Sequence, residues 1–288
     1  MKRTAMIVVL VGTVLSISGI LAGQGNDKPA ATTTAPASGQ AAAAPQGKRP
    51  PQAKTQAEFD AYKAAMGSAD GAAAEKAADD FAAKFPDSEL RVMVYKSAMQ
   101  KYQQGNNADK MNEMAHKALT FDPDDPEALL GVSQILAERT RDTDLDKDDR
   151  LAEAKKDAEH ALVTIDTDVP TTGYPPEQLN AYKGYLRSEA YAILGTLAFN
   201  AKHWPDAEGA LRKSIDAYPQ QPDPVAVFRL AVSLDMQNRV PEAMKYAEQA
   251  VDLTKEHPDS GVGKAARDEK DRLTKLSSGT APGQPAPK

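Results

Sequence analysis

The chain contains no cysteine in its 288 residues, which excludes disulfides, thiolate metal sites, cysteine nucleophiles and an acylated N-terminal cysteine together. Aromatic residues are scarce at 6%, with a single tryptophan, while alanine is abundant. That balance favours closely packed helices over a sheet sandwich. Excess basic charge is also missing. The 35 Lys and Arg residues face 41 Asp and Glu residues, for a formal net charge of −6. Nucleic-acid binding by counterion release therefore has little support.

One long apolar run exists, from Ala5 to Ala22, preceded by Lys2 and Arg3. A short positive stretch followed by an uncharged apolar run has the layout of an export signal, so residues 1–22 are read as a signal peptide or N-terminal membrane anchor. Cleavage after Ala22 would leave bulky Ile20 where a small residue is preferred, with Gly23 and Gly25 as weaker alternatives. Left uncut, the run is just long enough to cross a bilayer. The expected location is the periplasm or cell envelope, either free or held in the inner membrane by an uncleaved signal. Residues 23–54 are rich in Ala, Pro, Thr, Gly and Gln without an apolar period, and residues 277–288 read the same way. Such segments bury too little surface to offset their ordering entropy, so the first is expected to be a linker and the second a disordered tail. Residues 55–276 form the folded domain.

Within that domain, amphipathic helical patterns recur with Gly, Pro and Asn punctuation. Small or apolar residues repeat at spacings of four, three and one. The sets are Ala74, Ala78, Phe81 and Ala82; Met111, Ala115, Ala118 and Leu119; Ala154, Ala158, Ala161 and Leu162; Ala207, Leu211, Ser214 and Ile215; and Ala243, Ala247, Ala250 and Val251. That spacing places all four side chains on one helical stripe. Proline follows three of the stripes, at Pro86, Pro123 and Pro219, and stops the helix. Twelve residues upstream of a stripe lies a partner pair: Leu194-Gly195 before Ala207, Leu230-Ala231 before Ala243, Ala98-Met99 before Met111. The repeating unit is helix, turn, helix, with a period of about 34–37 residues in the regular copies.

This pattern resembles the tetratricopeptide repeat. The best copy carries Tyr191, Leu194, Gly195, Ala207, Leu211 and Pro219 where that family wants aromatic, Leu, Gly, Ala, large apolar and Pro. The resemblance covers roughly residues 57–256. It implies an all-α, right-handed α-solenoid of about five helix pairs, and the polar amphipathic stretch after the fifth reads as a C-terminal capping helix. The third copy departs from the rule: Leu130-Gly131 precedes Ala154 by twenty-three residues. An added loop before the fourth copy is followed by apolar positions that predict an early helix start near Pro176.

The insertion in the third copy includes Asp142, Asp144, Asp146, Asp148 and Glu153, which fall at the ligand positions of a calcium-binding loop. Lys147 stands where the sharp turn needs glycine, however, and Asp149 where an apolar residue belongs. The favoured reading is a lengthened turn, with Asp148 or Asp149 capping the next helix. His116, His160, His203 and His257 have no metal-ligand spacing and read as surface residues. Trp204 reads as inter-helix packing. No nucleophile, metal set or cofactor loop is visible, so neither an enzyme nor a cofactor is expected.

A binding surface remains. In the family resembled, the first helices of successive repeats line a concave groove. By register the groove-facing candidates are Lys96, Gln100, Val132, Leu136, Thr196, Phe199, Phe228, Val232 and Asp235. Gln100 and Leu129 depart from the paired lysines and asparagines with which some relatives grip a peptide carboxylate, so that role is not expected. The function expected is a non-enzymatic scaffold or adaptor binding a protein or peptide. The alternatives are an envelope or outer-membrane assembly factor, suggested by Phe85–Glu89 ("FPDSE"), and a regulatory subunit whose acidic loop at 142–153 responds to cations.

Overall fold

A computed structural model describes residues 48–171 and 175–279. The expected signal, most of the linker and the tail beyond Gly279 lie outside the described residues. Among those described there are eleven α-helices and no strand. They are α1 (Gln56–Met66), α2 (Gly71–Lys84), α3 (Arg91–Gln104), α4 (Ala108–Phe121), α5 (Pro126–Arg139), α6 (Lys147–Thr167), α7 (Pro176–Asn200), α8 (Trp204–Ala217), α9 (Pro224–Asp235), α10 (Val240–Leu253) and α11 (Gly261–Ser277). No described helix is long and apolar enough to cross a membrane.

Local chemistry sets these boundaries. Asp125 and Asp223 open α5 and α9 alike: each carboxylate accepts an early backbone N–H, from Ala128 at 2.9 Å and Val225 at 3.0 Å. A proline follows each in the first turn, where its missing N–H removes no helical bond. The turns α3–α4, α7–α8 and α9–α10 share one geometry. Asn106, Lys202 and Asn238 each have φ 60°, in the left-handed region. The next residue's N–H then reaches back to a carbonyl of the preceding helix: Asn107 to Tyr102, His203 to Ala198 and Arg239 to Leu234, at 2.9–3.0 Å. This is a helix-ending motif of the Schellman type. Its recurrence at matching positions is a conformational repeat that complements the sequence repeat.

Each helix packs on the next in chain order, and the odd-numbered helices also touch one another in series from α1 to α11. The arrangement is that of a helical solenoid, with the odd-numbered helices forming the tighter layer. The stripe residues pack as their spacing requires. Ala74, Ala78, Phe81, Met111, Ala115, Ala118, Ala154, Ala158, Ala161, Ala207, Leu211, Ala243 and Ala250, with Leu130 and Leu230, are at most 4% exposed. Tyr191 and Leu194 differ, being only half-buried. Gly195 lets α7 approach α8 so closely that an added Cβ would lie 2.7 Å from the Leu211 side chain. Gly131 serves another contact: its Cβ would meet Met99 of α3 at 2.8 Å and Ala115 of α4 at 3.6 Å. Toward α6, α5 instead presents Ser133, whose hydroxyl donates to the Ala154 carbonyl at 2.5 Å.

The buried core divides within α7. One cluster runs from Ala65 on α1 to Ile193; beyond it lie a second from Ala207 to Leu273 on α11, with Ala198 and Phe199 of α7 packed against it, and a small third of Val227, Ala250 and Ala266. α7 starts at Pro176, as its apolar pattern predicts. Residues 48–54, which composition assigns to the linker, lie against the body. The Lys48 backbone N–H donates to Thr167 O at 2.9 Å, and its ammonium sits 2.5 Å from Asp122 and 3.3 Å from Asp168. Those two aspartates are the C-caps of α4 and α6, where the helix dipole disfavours negative charge, and Lys48 offsets both. Arg49 holds Glu89, and Lys54 donates to the Asp87 carbonyl, so this short strap ties three inter-helix loops.

Candidate partner-binding site

The odd-numbered layer presents the candidate groove, and its residues divide into two groups. Val132 is completely buried and Leu136 is 4% exposed. Neither faces an open groove: α5 is enclosed by α3, α4, α6 and the lengthened α7. Their assignment as groove residues is corrected accordingly. Lys96, Thr196 and Asp235 are also buried. Gln100, Phe199, Phe228 and Val232 remain half-buried.

Lys96 is the most instructive case. Its ammonium lies 2.8 Å from Asp125 and 3.2 Å from Glu127, inside the interface of α3 with α5. Gln100 approaches the Glu127 carboxylate at 3.5 Å, and the Tyr182 hydroxyl of α7 donates to the same carboxylate. Burial alone would lower the Lys96 pKa, but Asp125 and Glu127 outweigh it and raise the value above lysine's ordinary one. Burial, reinforced by Glu127, drives the Tyr182 hydroxyl well above a normal phenol. Both groups therefore keep their protons, and the cluster joins three helices. This lysine is committed to holding the stack, not free to grip a ligand. Sequence reasoning missed Asp125, Glu127 and Tyr182. The Asp-Pro-Glu at the start of α5 signals a cap, but nothing local signals a lysine from α3 above it.

Asp235 is similarly committed. It is 2% exposed and pairs with Arg272, so it anchors α11 on α9. Glu269 steadies the same guanidinium at 2.9 Å. Thr196 accepts a hydrogen bond from Arg229 at 2.6 Å. The Arg229 guanidinium lies 5.8 Å from the Phe199 ring centre, and Phe199 meets Trp204 edge-on at 5.5 Å. Trp204 packs between helices as expected, and the accessible part of the layer is concentrated on α7 and α9.

The acidic loop is a turn whose charges are matched locally. Lys147 pairs with Asp142 at 2.7 Å, and Arg150 lies 4.0 Å from Asp144 and 3.9 Å from Asp146. Asp144 also accepts the Arg141 backbone N–H at 2.9 Å. No group of three or more His, Cys, Asp or Glu suited to a metal occurs among the described residues, so Asp142, Asp144, Asp146, Asp148 and Glu153 are not brought together. The expected cap is corrected too. α6 starts at Lys147, one residue before Asp148, and its N-cap Asp146 makes no side-chain capping bond. Asp148 and Asp149 instead occupy the first turn and favour its positive end. Of the histidines, His116 and His160 sit beside Glu153 and Asp124, at 3.4 and 2.9 Å.

No protein-family model matches the chain, and no curated protein matches it in sequence.

Proposed function

We propose that the chain is a non-enzymatic adaptor: a right-handed solenoid of tetratricopeptide type, with five helix pairs (α1–α2 to α9–α10) and α11 as its cap. It binds an extended segment of a protein partner along the odd-numbered layer of α7 and α9. The reading rests on one observation: Phe199, Phe228 and Val232 stay half-exposed there, whereas the corresponding layer of α5 is sealed. Partly exposed aromatics on a rigid helical layer suit the anchoring of a peptide's apolar side chains. The export signal expected at residues 1–22 supports a location in the cell envelope, on a tether if the signal is retained.

The test is crosslinking of the full-length protein in its native membrane fraction, comparing wild type with Phe199→Asp and Phe228→Asp. Lys96 is left intact because its replacement would disturb the stack. A protein captured by wild type and lost from both variants, at unchanged helicity, supports the reading. Equal capture by all three moves the site off this layer.

A further inference from the structure

Residues 48–54 run along one edge of the first half of the stack. Lys48 sits where α4 and α6 end, and Lys54 sits at the α2–α3 turn, just before Thr55 caps α1. The C-terminal ends of α2, α4 and α6 meet on this edge: Asp87 and Glu89 follow α2, Asp122 closes α4 and Asp168 closes α6. The strap therefore touches all three helix pairs of that half, whereas each pair otherwise meets the next in chain order.

Charge supplies most of its attachment. Lys48 lies 2.5 Å from Asp122 and 3.3 Å from Asp168, Arg49 donates to Glu89 at 2.8 Å, and the Lys54 ammonium donates to the Asp87 carbonyl at 2.7 Å. The Gln52 and Lys54 backbone N–H groups donate to Glu89 and Glu58, at 3.4 and 2.7 Å. A single backbone–backbone bond, from Lys48 to Thr167, and the partly buried Ala53 side chain complete the attachment among the described residues.

The strap also has little slack. Pro50 and Pro51 stand at its middle and bias the residues before them to extended backbone. Seven extended residues reach about 22 Å, at about 3.1 Å each. Two steps from one helix pair to the next, at about 8–10 Å each, use most of that reach. In a stack whose units contact only their neighbours, small rotations between units add up to curvature. A taut tie along one edge opposes the rotations that would part that edge.

We propose that residues 48–54 are a releasable clasp: closed, it fixes the curvature of α1–α6, and ionic strength governs its release. The Arg49 and Lys48 side chains are 62% and 35% exposed, so salt reaches both pairings.

The test is a spin-label distance measurement on the full chain. The sequence has no cysteine, so two introduced ones carry the labels without background. Ala83→Cys on α2 and Val163→Cys on α6 are exposed positions near the ends that the strap joins. Spectra are recorded at about 0.01 M and about 1 M salt, where the screening length is about 30 Å and about 3 Å. The expected result is a narrow distance at low salt that lengthens and broadens at high salt. The double variant Lys48→Gln/Arg49→Gln should show the long, broad distribution at both, while Lys48→Arg follows wild type, all at unchanged helicity. A distribution that is the same in wild type and the double variant, or that still responds to salt in the double variant, would overturn the proposal. So would loss of helicity in the double variant, which would make the strap part of the fold and not a clasp upon it.

Discussion

The two halves of the molecule solve the same stacking problem differently. From α7 onward the helices follow a near-regular repeat: Gly195 seats Leu211, the turns at Lys202 and Asn238 match, and Arg272 anchors the final helix. From α1 to α6 the repeat is distorted, and specific charged contacts supplement it. A buried lysine joins α3 to α5, Lys48 bridges the ends of α4 and α6, and α5 carries its glycine toward the preceding pair. The difference lies in where the charge sits: in the regular half Arg272 and Asp235 pair at the closing end of the stack, whereas in the irregular half Lys96 and Lys48 tie helices together within it.

The largest effect should come from breaking the device peculiar to the first half. Lys96→Met would strand two carboxylates in the α3–α5 interface, and loss of one partner of a buried ion pair costs about 3–5 kcal/mol. Urea denaturation should show a loss of that size, and a loss below about 1 kcal/mol would place the triad with surface pairs. The glycines offer a sharper contrast. Gly195→Ala drives a methyl to 2.7 Å from branched Leu211 and 3.3 Å from its backbone nitrogen, so overpacking of about 1–3 kcal/mol is expected. Gly131→Ala meets mainly the sulfur of Met99, a flexible side chain that can swing aside. Its cost should be small beside the gain in helix propensity of about 1 kcal/mol. Thermal melts of the two variants read the difference directly.

Acid should weaken both halves through matching carboxylates on the even-numbered helices. Hydrogen bonds from Lys110 and then Tyr102 hold Glu75 below its ordinary value of 4.5. Burial opposes the same shift at Glu208, but Arg212, Arg239 and Gln237 prevail. The folded state therefore binds fewer protons than the unfolded chain. The stabilisation is complete above the ordinary glutamate range and is lost as pH falls through the depressed folded values. Melting temperatures measured from pH 7 down to 3 should drop more steeply for wild type than for Glu75→Gln or Glu208→Gln. The smallest effects are at the three matching turns, of which α7–α8 has Lys202 at a φ that glycine takes without strain. Lys202→Gly should raise stability by about 0.5–1 kcal/mol, net of chain entropy. Asn106→Gly and Asn238→Gly should give less, since asparagine tolerates that conformation.

Much of the helical architecture was legible because its signals are local. The stripes at Ala74 through Ala250 lie on single helices, and the Pro176 start follows from periodicity within α7. The candidate groove was less legible, since whether a side chain faces a partner depends on what covers it. Val132 and Leu136 occupy layer positions like those of α9, but α7 is 25 residues long and closes over α5. Lys96 reads as a free cation until Asp125 and Glu127, some thirty residues away, are stacked above it. The strap at 48–54 was hidden for the same reason: Pro- and Lys-rich composition announces a linker, and only the fold supplies the carboxylates at Asp122 and Asp168 that receive it.

Native-state hydrogen exchange on wild type and Leu234→Ala tests the division most directly. Leu234 is fully buried on α9, so its truncation should cost about 2–5 kcal/mol. If the core divides within α7, amides of α8 to α11 should exchange faster by that amount while those of α2 to α6 keep their protection. An equal loss of protection from α2 to α11 would show a single cooperative unit and contradict the two-part account.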